Sequence, residues 1–140
     1  QTTASTTEGA QYVYCKKLVK NETGERPLYT GYHSTVSAFY YGTLIVGDQF
    51  DGNFDGYSAL DTNIPLSSLK EPTAFDSPTT FAVASVIPGW TAALQLMRAG
   101  ERWMLYIPWQ SAYGSSGNND GTIPGYTALT FDLLLERIVE

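Results

Sequence analysis

A single helical stretch limits the folds open to this chain. In PGWTAALQLMRAGE, residues 88–101, Trp90, Ala93, Leu94 and Met97 recur at helical spacing. Pro88 suits the opening of a helix, and Gly100 suits the left-handed cap after its last turn. The other patterned stretches read as strands: QYVYCKKLVK (Gln11 to Lys20), STVSAFYYGTLIVG, TTFAVASV, RWMLYIPW and TALTFDLLLERIVE. In the second of these, Val36, Ala38 and Tyr40 share one face, and Ser37, Phe39 and Tyr41 the other. The last has the length of a central strand, and NETGERP reads as the turn after the first. One short helix among strands implies a sheet packed on that helix, an α+β fold.

The 140 residues suit one domain, and an apolar fraction of 43% is enough for a core without staples. A net charge of -6 with no basic run argues against nucleic-acid partners, because phosphate contacts require clustered Lys and Arg. No apolar run approaches the roughly 18 residues of a membrane span. QTTASTTEGA, residues 1–10, is polar, small and aperiodic, and is expected to be a flexible leader ahead of a domain over 11–140. Such a leader suits a tether behind a signal peptide or lipid anchor, which leads to the expectation of an exported protein. Cys15 is the lone cysteine, so an internal disulfide and a two-cysteine metal motif are both ruled out. His33 lies outside any nucleophile motif and reads as a solvated loop residue.

DGNFDG, residues 51–56, looks like the opening of a calcium loop, with Asp51, Asn53 and Asp55 alternating before Gly56. Such a loop needs a bidentate Glu at its twelfth position, where this chain has Thr62, with Asp61 one residue early. A loop that uses Asn, Asp and Gly for turns explains the same letters. The stretch from Asp51 to Pro78, rich in Asp, Ser, Thr, Gly and Pro, reads as a long loop or insertion. The Gly-rich GSSGNNDG lacks the following Lys and helix of a phosphate loop.

Four ordered blocks carry a family resemblance. YYGTLIVGDQFD (Tyr40 to Asp51), VIPGWTAALQLMRAGERWMLYIP (Val86 to Pro108), SAYGSSG (Ser111 to Gly117) and IPGYTALTFDLLL (Ile123 to Leu135) resemble the FKBP family of peptidyl-prolyl cis/trans isomerases, as found in bacteria. The resemblance spans most of Gln11 to Ile138 apart from an insertion at about 53–74. It implies a half-open, twisted antiparallel sheet wrapped around one short helix. It implies catalytic roles for Tyr40, Phe50, Asp51 and Tyr113. It implies a substrate pocket of Val86, Ile87, Trp90, Ile123 and Phe131, with the Trp90 indole as the floor. No cofactor and no metal are implied. The implied partners are proline-containing polypeptides during protein folding, with binding of the macrolides tacrolimus and rapamycin in the same pocket.

The chain departs from the family pattern at Thr79, where many members carry an aromatic pocket wall two residues before the position of Phe81. AFDSPTTF offers a second Phe-Asp pair, Phe75 and Asp76; the spacing from Tyr40 favours Phe50 and Asp51. The insertion either adds a flap over the pocket or covers it. Two functions follow: a prolyl isomerase that assists folding, or a peptide-binding chaperone module that uses the pocket without turnover.

Overall fold

A computed structural model describes residues 2–6, 9–20, 31–118 and 121–139. The strands are β1 (Thr2–Thr6), β2 (Gly9–Val19), β3 (Thr35–Leu44), β4 (Gln49–Gly52), β5 (Thr79–Ala82), β6 (Arg102–Ile107) and β7 (Leu129–Ile138). Among the described residues there is one α-helix, α1 (Pro88–Leu94). All seven strands join one sheet in the order β1-β2-β6-β7-β3-β4, with β5 also on β3. Every pairing is antiparallel.

The elements follow the sequence pattern, with three differences. The strand expected to be central, β7, lies between β6 and β3. TTFAVASV is extended only over Thr79–Ala82 and then tightens into a 3-10 turn over Val83–Ser85. The helix stops at Leu94, earlier than its apolar spacing suggests. The Leu96 amide turns back to the Ala93 carbonyl, and the Met97 amide bonds both Ala93 and Leu94 carbonyls. A last turn of mixed three- and four-residue bonds thus keeps Met97 buried beside Trp90, Ala93 and Leu94. In the expected leader, Thr2–Thr6 pair with β2 in place of an aperiodic tail. The turn expected at NETGERP lies outside the described residues.

Strand alternation divides the buried side chains into two sets. Val36 and Ala38 of β3, Trp103, Leu105 and Ile107 of β6, and Leu129, Phe131, Leu133 and Leu135 of β7 pack with α1 in the main core. Burying a Leu of this kind is worth roughly 1.5–3 kcal/mol, so Leu94 and Met97, both at 0% exposure, anchor the helix to the sheet. Gly42, also on the helix side, has no room for a side chain. A Cβ there would lie 2.7 Å from Phe131 and 2.8 Å from Phe50.

The opposite sheet face is also buried, because the excursion between β4 and β5 folds over it. Tyr57, Ile64 and Leu69 pack there with Leu18, Met104 and Tyr106. Phe54 meets Phe39 edge-on, with ring centroids 6.0 Å apart. A buried ion pair, Arg102 with Asp132, lies under this layer. The Tyr57 amide donates to Asp132 Oδ2 at 3.0 Å, and the Arg102 guanidinium also donates to the Lys70 carbonyl. The stretch between β4 and β5 thus packs on the back of the sheet through Tyr57, Ile64 and Leu69.

Candidate active site

Between the helix and the open end of the sheet lies a cavity of about 340 Å³, a size that suits a small ligand or a few residues of peptide. Trp90 forms its floor, at 3% exposure. Three rings stand edge-on against the indole: Tyr40 at 5.3 Å between centroids, Phe81 at 5.0 Å and Phe131 at 5.1 Å. Edge-to-face packing of this kind fixes ring orientation as well as adding contact energy. Val86 and Ile87, from the segment that enters α1, add aliphatic walls. The Thr91 hydroxyl donates to the Val83 carbonyl at 2.7 Å, which ties the helix to the 3-10 turn ahead of those two residues.

The polar groups sit at the rim. Asp51, at the end of β4, and Tyr113, in the loop after β6, both line the cavity and both are exposed. The Tyr40 hydroxyl donates to the Asp51 carboxylate. Burial, first, and then the Asp51 hydrogen bond and the nearby charge of Asp51 hold the Tyr40 phenol well above the ordinary tyrosine value. Tyr40 therefore stays protonated and acts as a donor. The arrangement combines an apolar cup with a carboxylate and a phenol at its edge, which suits a small ring attached to a polar backbone.

The sequence-predicted residues divide into three sets. Tyr40, Asp51, Val86, Ile87, Trp90, Tyr113 and Phe131 come together around the cavity. Phe50 and Ile123 do not line it. Phe50 packs behind Phe131, with centroids 5.5 Å apart, and Ile123 is in the main core at 1% exposure. Phe75 and Asp76 are elsewhere: Phe75 is 98% exposed, and Asp76 caps its own turn by accepting from the Thr73 amide at 2.7 Å.

Sequence reasoning missed Phe81, which touches both Tyr40 and Trp90 and supplies an aromatic wall despite Thr79. Ser85, on the cavity rim, was also missed. The residues of DGNFDG serve different ends. Asp51 belongs to the cavity, Asn53 bonds the β3 backbone, and Gly56 is pressed so close to Asp132 that a Cβ would lie 2.6 Å from its Oδ2.

Comparison with known proteins gives a consistent result. Residues 30–136 match the model of the FKBP-type peptidyl-prolyl cis-trans isomerase family. The chain is 52% identical over 76 residues to a macrophage infectivity potentiator of Trypanosoma cruzi, covering 50% of this chain and 38% of that protein. It is 40% identical over 106 residues to an outer membrane protein MIP of Legionella longbeachae, covering 76% of this chain and 34% of that protein. It thus spans well under half the length of these curated relatives. The crystal structure of a peptidyl-prolyl cis-trans isomerase from Pseudomonas syringae pv. tomato superposes with a TM-score of 0.66 at 29% identity, covering 99% of this chain and 81% of that one.

Proposed function

The chain belongs to the FKBP-type peptidyl-prolyl cis-trans isomerase family, and from that premise we propose that it accelerates rotation about Xaa-Pro bonds in polypeptides. The observation that carries this reading is the aromatic cup on Trp90 with Asp51 and Tyr113 at its rim. Rotation about a peptide bond faces a barrier of roughly 18–20 kcal/mol because resonance gives it double-bond character. At the twisted transition state that resonance is lost, no group is attacked, and no proton leaves. The site therefore needs only to bind the twisted imide better than the planar one.

The cup would hold the proline ring against the indole and strip water from the planar, more polar imide. Trp90, Phe81 and Phe131 are the apolar surfaces that do this, and Val86 and Ile87 close the sides. Tyr113 would donate its phenolic hydrogen to a substrate carbonyl. Asp51, held by the Tyr40 hydroxyl, would set the polarity of the rim. Each factor of ten in rate requires about 1.4 kcal/mol of differential stabilisation, so a few such contacts suffice for a useful acceleration. Phe50 supports the Phe131 wall from behind.

The clients would be proline-containing chains during folding, and tacrolimus or rapamycin would compete for the cup. The expected location is the cell envelope, supported by the name of the outer membrane relative. No helix of the described residues is long and apolar enough to cross a membrane.

Exchange NMR on an Xaa-Pro peptide tests the reading, with wild type, Asp51→Ala and Tyr113→Phe. Acceleration by wild type that weakens in both folded variants supports it. A folded wild type that binds the peptide without accelerating exchange would replace it with a peptide-binding module.

A further inference from the structure

The hydrogen-bonding edge of β3 changes partner halfway along. Residues 35–38 pair with β5, and 41–43 pair with β4. At Phe39 and Tyr40 neither strand is opposite. Backbone groups left open in a folded interior are costly, so something must bond them.

Asn53 does so. Its amide donates to the Tyr40 carbonyl at 2.9 Å. Its Oδ1 accepts from the Tyr40 amide at 2.8 Å. Its Nδ2 donates to the Ala38 carbonyl at 3.0 Å and to Thr79 Oγ1 at 3.0 Å. The side-chain amide thus takes the place of a missing strand residue. Asp could accept but not donate, Ser offers one hydrogen, and Gln is a methylene longer, so Asn is the side chain that fits. Asn53 itself is outside the cavity. Its partners are the backbone of Tyr40 and a residue of β5 two positions before Phe81, and those two rings meet at 5.5 Å.

We propose that Asn53 is a positioning residue for the isomerase site: it fixes the Tyr40 and Phe81 walls relative to each other where the sheet has no continuous strand to do so. This rests on the isomerase reading above and adds a residue that does not touch substrate.

The test compares wild type, Asn53→Ala and Leu69→Ala, the last a control that loosens the outer core without touching Tyr40. Two quantities are read: kcat/KM on an Xaa-Pro peptide, and the ionisation of Tyr40 by carbon NMR of its ring. Folded Asn53→Ala is expected to lose about fivefold or more in kcat/KM, and its Tyr40 phenol to ionise at lower pH as the bond to Asp51 loosens. Leu69→Ala is expected to change neither beyond what its folded fraction explains. An Asn53→Ala protein that keeps wild-type kcat/KM and wild-type Tyr40 ionisation overturns the proposal. So does one whose loss of rate matches that of Leu69→Ala at equal stability with Tyr40 ionisation unchanged. Should Asn53→Ala not fold, Asn53→Asp removes both side-chain donors, and the same two readouts decide. If wild type accelerates no peptide, the isomerase reading fails by itself, and the Tyr40 ionisation still decides for or against Asn53.

Discussion

Arg102 and Asp132 meet as a two-pronged pair: Arg102 Nε donates to Asp132 Oδ1 at 2.8 Å and its NH2 group donates to Oδ2 at 2.6 Å, with side chains 2% and 0% exposed. The pair lies on the sheet face away from the cavity, beneath the rings of Phe54 and Tyr57 at 5.2 and 5.4 Å from the guanidinium. Removing one partner leaves an uncompensated buried charge, which costs about 3–5 kcal/mol. Asp132→Ala and Arg102→Ala are each expected to lower the urea midpoint sharply. The fraction that remains folded should keep most of its isomerase rate, because neither side chain reaches the cup. A selective loss of rate at unchanged stability would contradict this placement.

Phe81 is expected to matter as much as the residues the family resemblance points to. Its ring contacts Tyr40 and Trp90, and edge-on pairs contribute about 0.5–1.5 kcal/mol each beyond their burial. Phe81→Ala should therefore reduce kcat/KM by about tenfold and weaken macrolide binding by a similar factor. A calorimetric titration alongside the exchange assay measures both.

Tyr40 gives a signed pH dependence. Its folded value is raised above the unfolded value of 10.0, so the folded state holds this proton more tightly than the unfolded state does. The stabilisation it contributes is fully present below the unfolded value and is lost as pH rises above 10 toward the higher folded value. Tyr40→Phe has no such proton. Alkaline unfolding curves of the two proteins should therefore converge as pH climbs past 10. Parallel curves over that range would refute the raised value.

Asp76→Ala separates the two Phe-Asp pairs. Among the described residues, the Asp76 carboxylate bonds only its own turn, through the Thr73 amide at 2.7 Å and hydroxyl at 3.1 Å. The variant should match wild type within about twofold in rate, with a stability loss of about 1 kcal/mol from the missing turn bonds. Asp51→Ala, by contrast, should be slow. The reverse pattern in the exchange assay would move the site to the second pair.

Much of this molecule is legible in its residues, for identifiable reasons. Trp90, Ala93, Leu94 and Met97 mark the helix because one face of it is buried, and burial imposes a period. Tyr40, Asp51, Val86, Ile87, Trp90, Tyr113 and Phe131 are found because short motifs keep them in register. Phe81 is not legible as a wall because Thr79 lies two positions earlier on the same strand face; only the registry of β5 on β3 shows which of the two reaches the indole. The outer layer left no pattern at all. Phe54, Tyr57, Ile64 and Leu69 pack from irregular backbone, where spacing carries no period. Arg102 and Asp132 lie thirty residues apart in the chain and are joined only by neighbouring strands. Asn53 reads in sequence as a turn former or a metal ligand, and its service to the β3 edge appears only once that edge is seen to change partner.

Because the stretch between β4 and β5 is anchored at Ile64 and Leu69 on the back of the sheet, the short turn between them points to a use in protein engineering. Residues 65–68 are exposed, and the turn is closed by the Ser68 amide on the Pro65 carbonyl at 3.0 Å. Exposed loop tips are where foreign segments are best tolerated. A tag, fluorophore or second module grafted between Leu66 and Ser67 would project from the side opposite the aromatic cup. The protein could then be tethered to a surface or fused to a partner with its substrate entrance left clear.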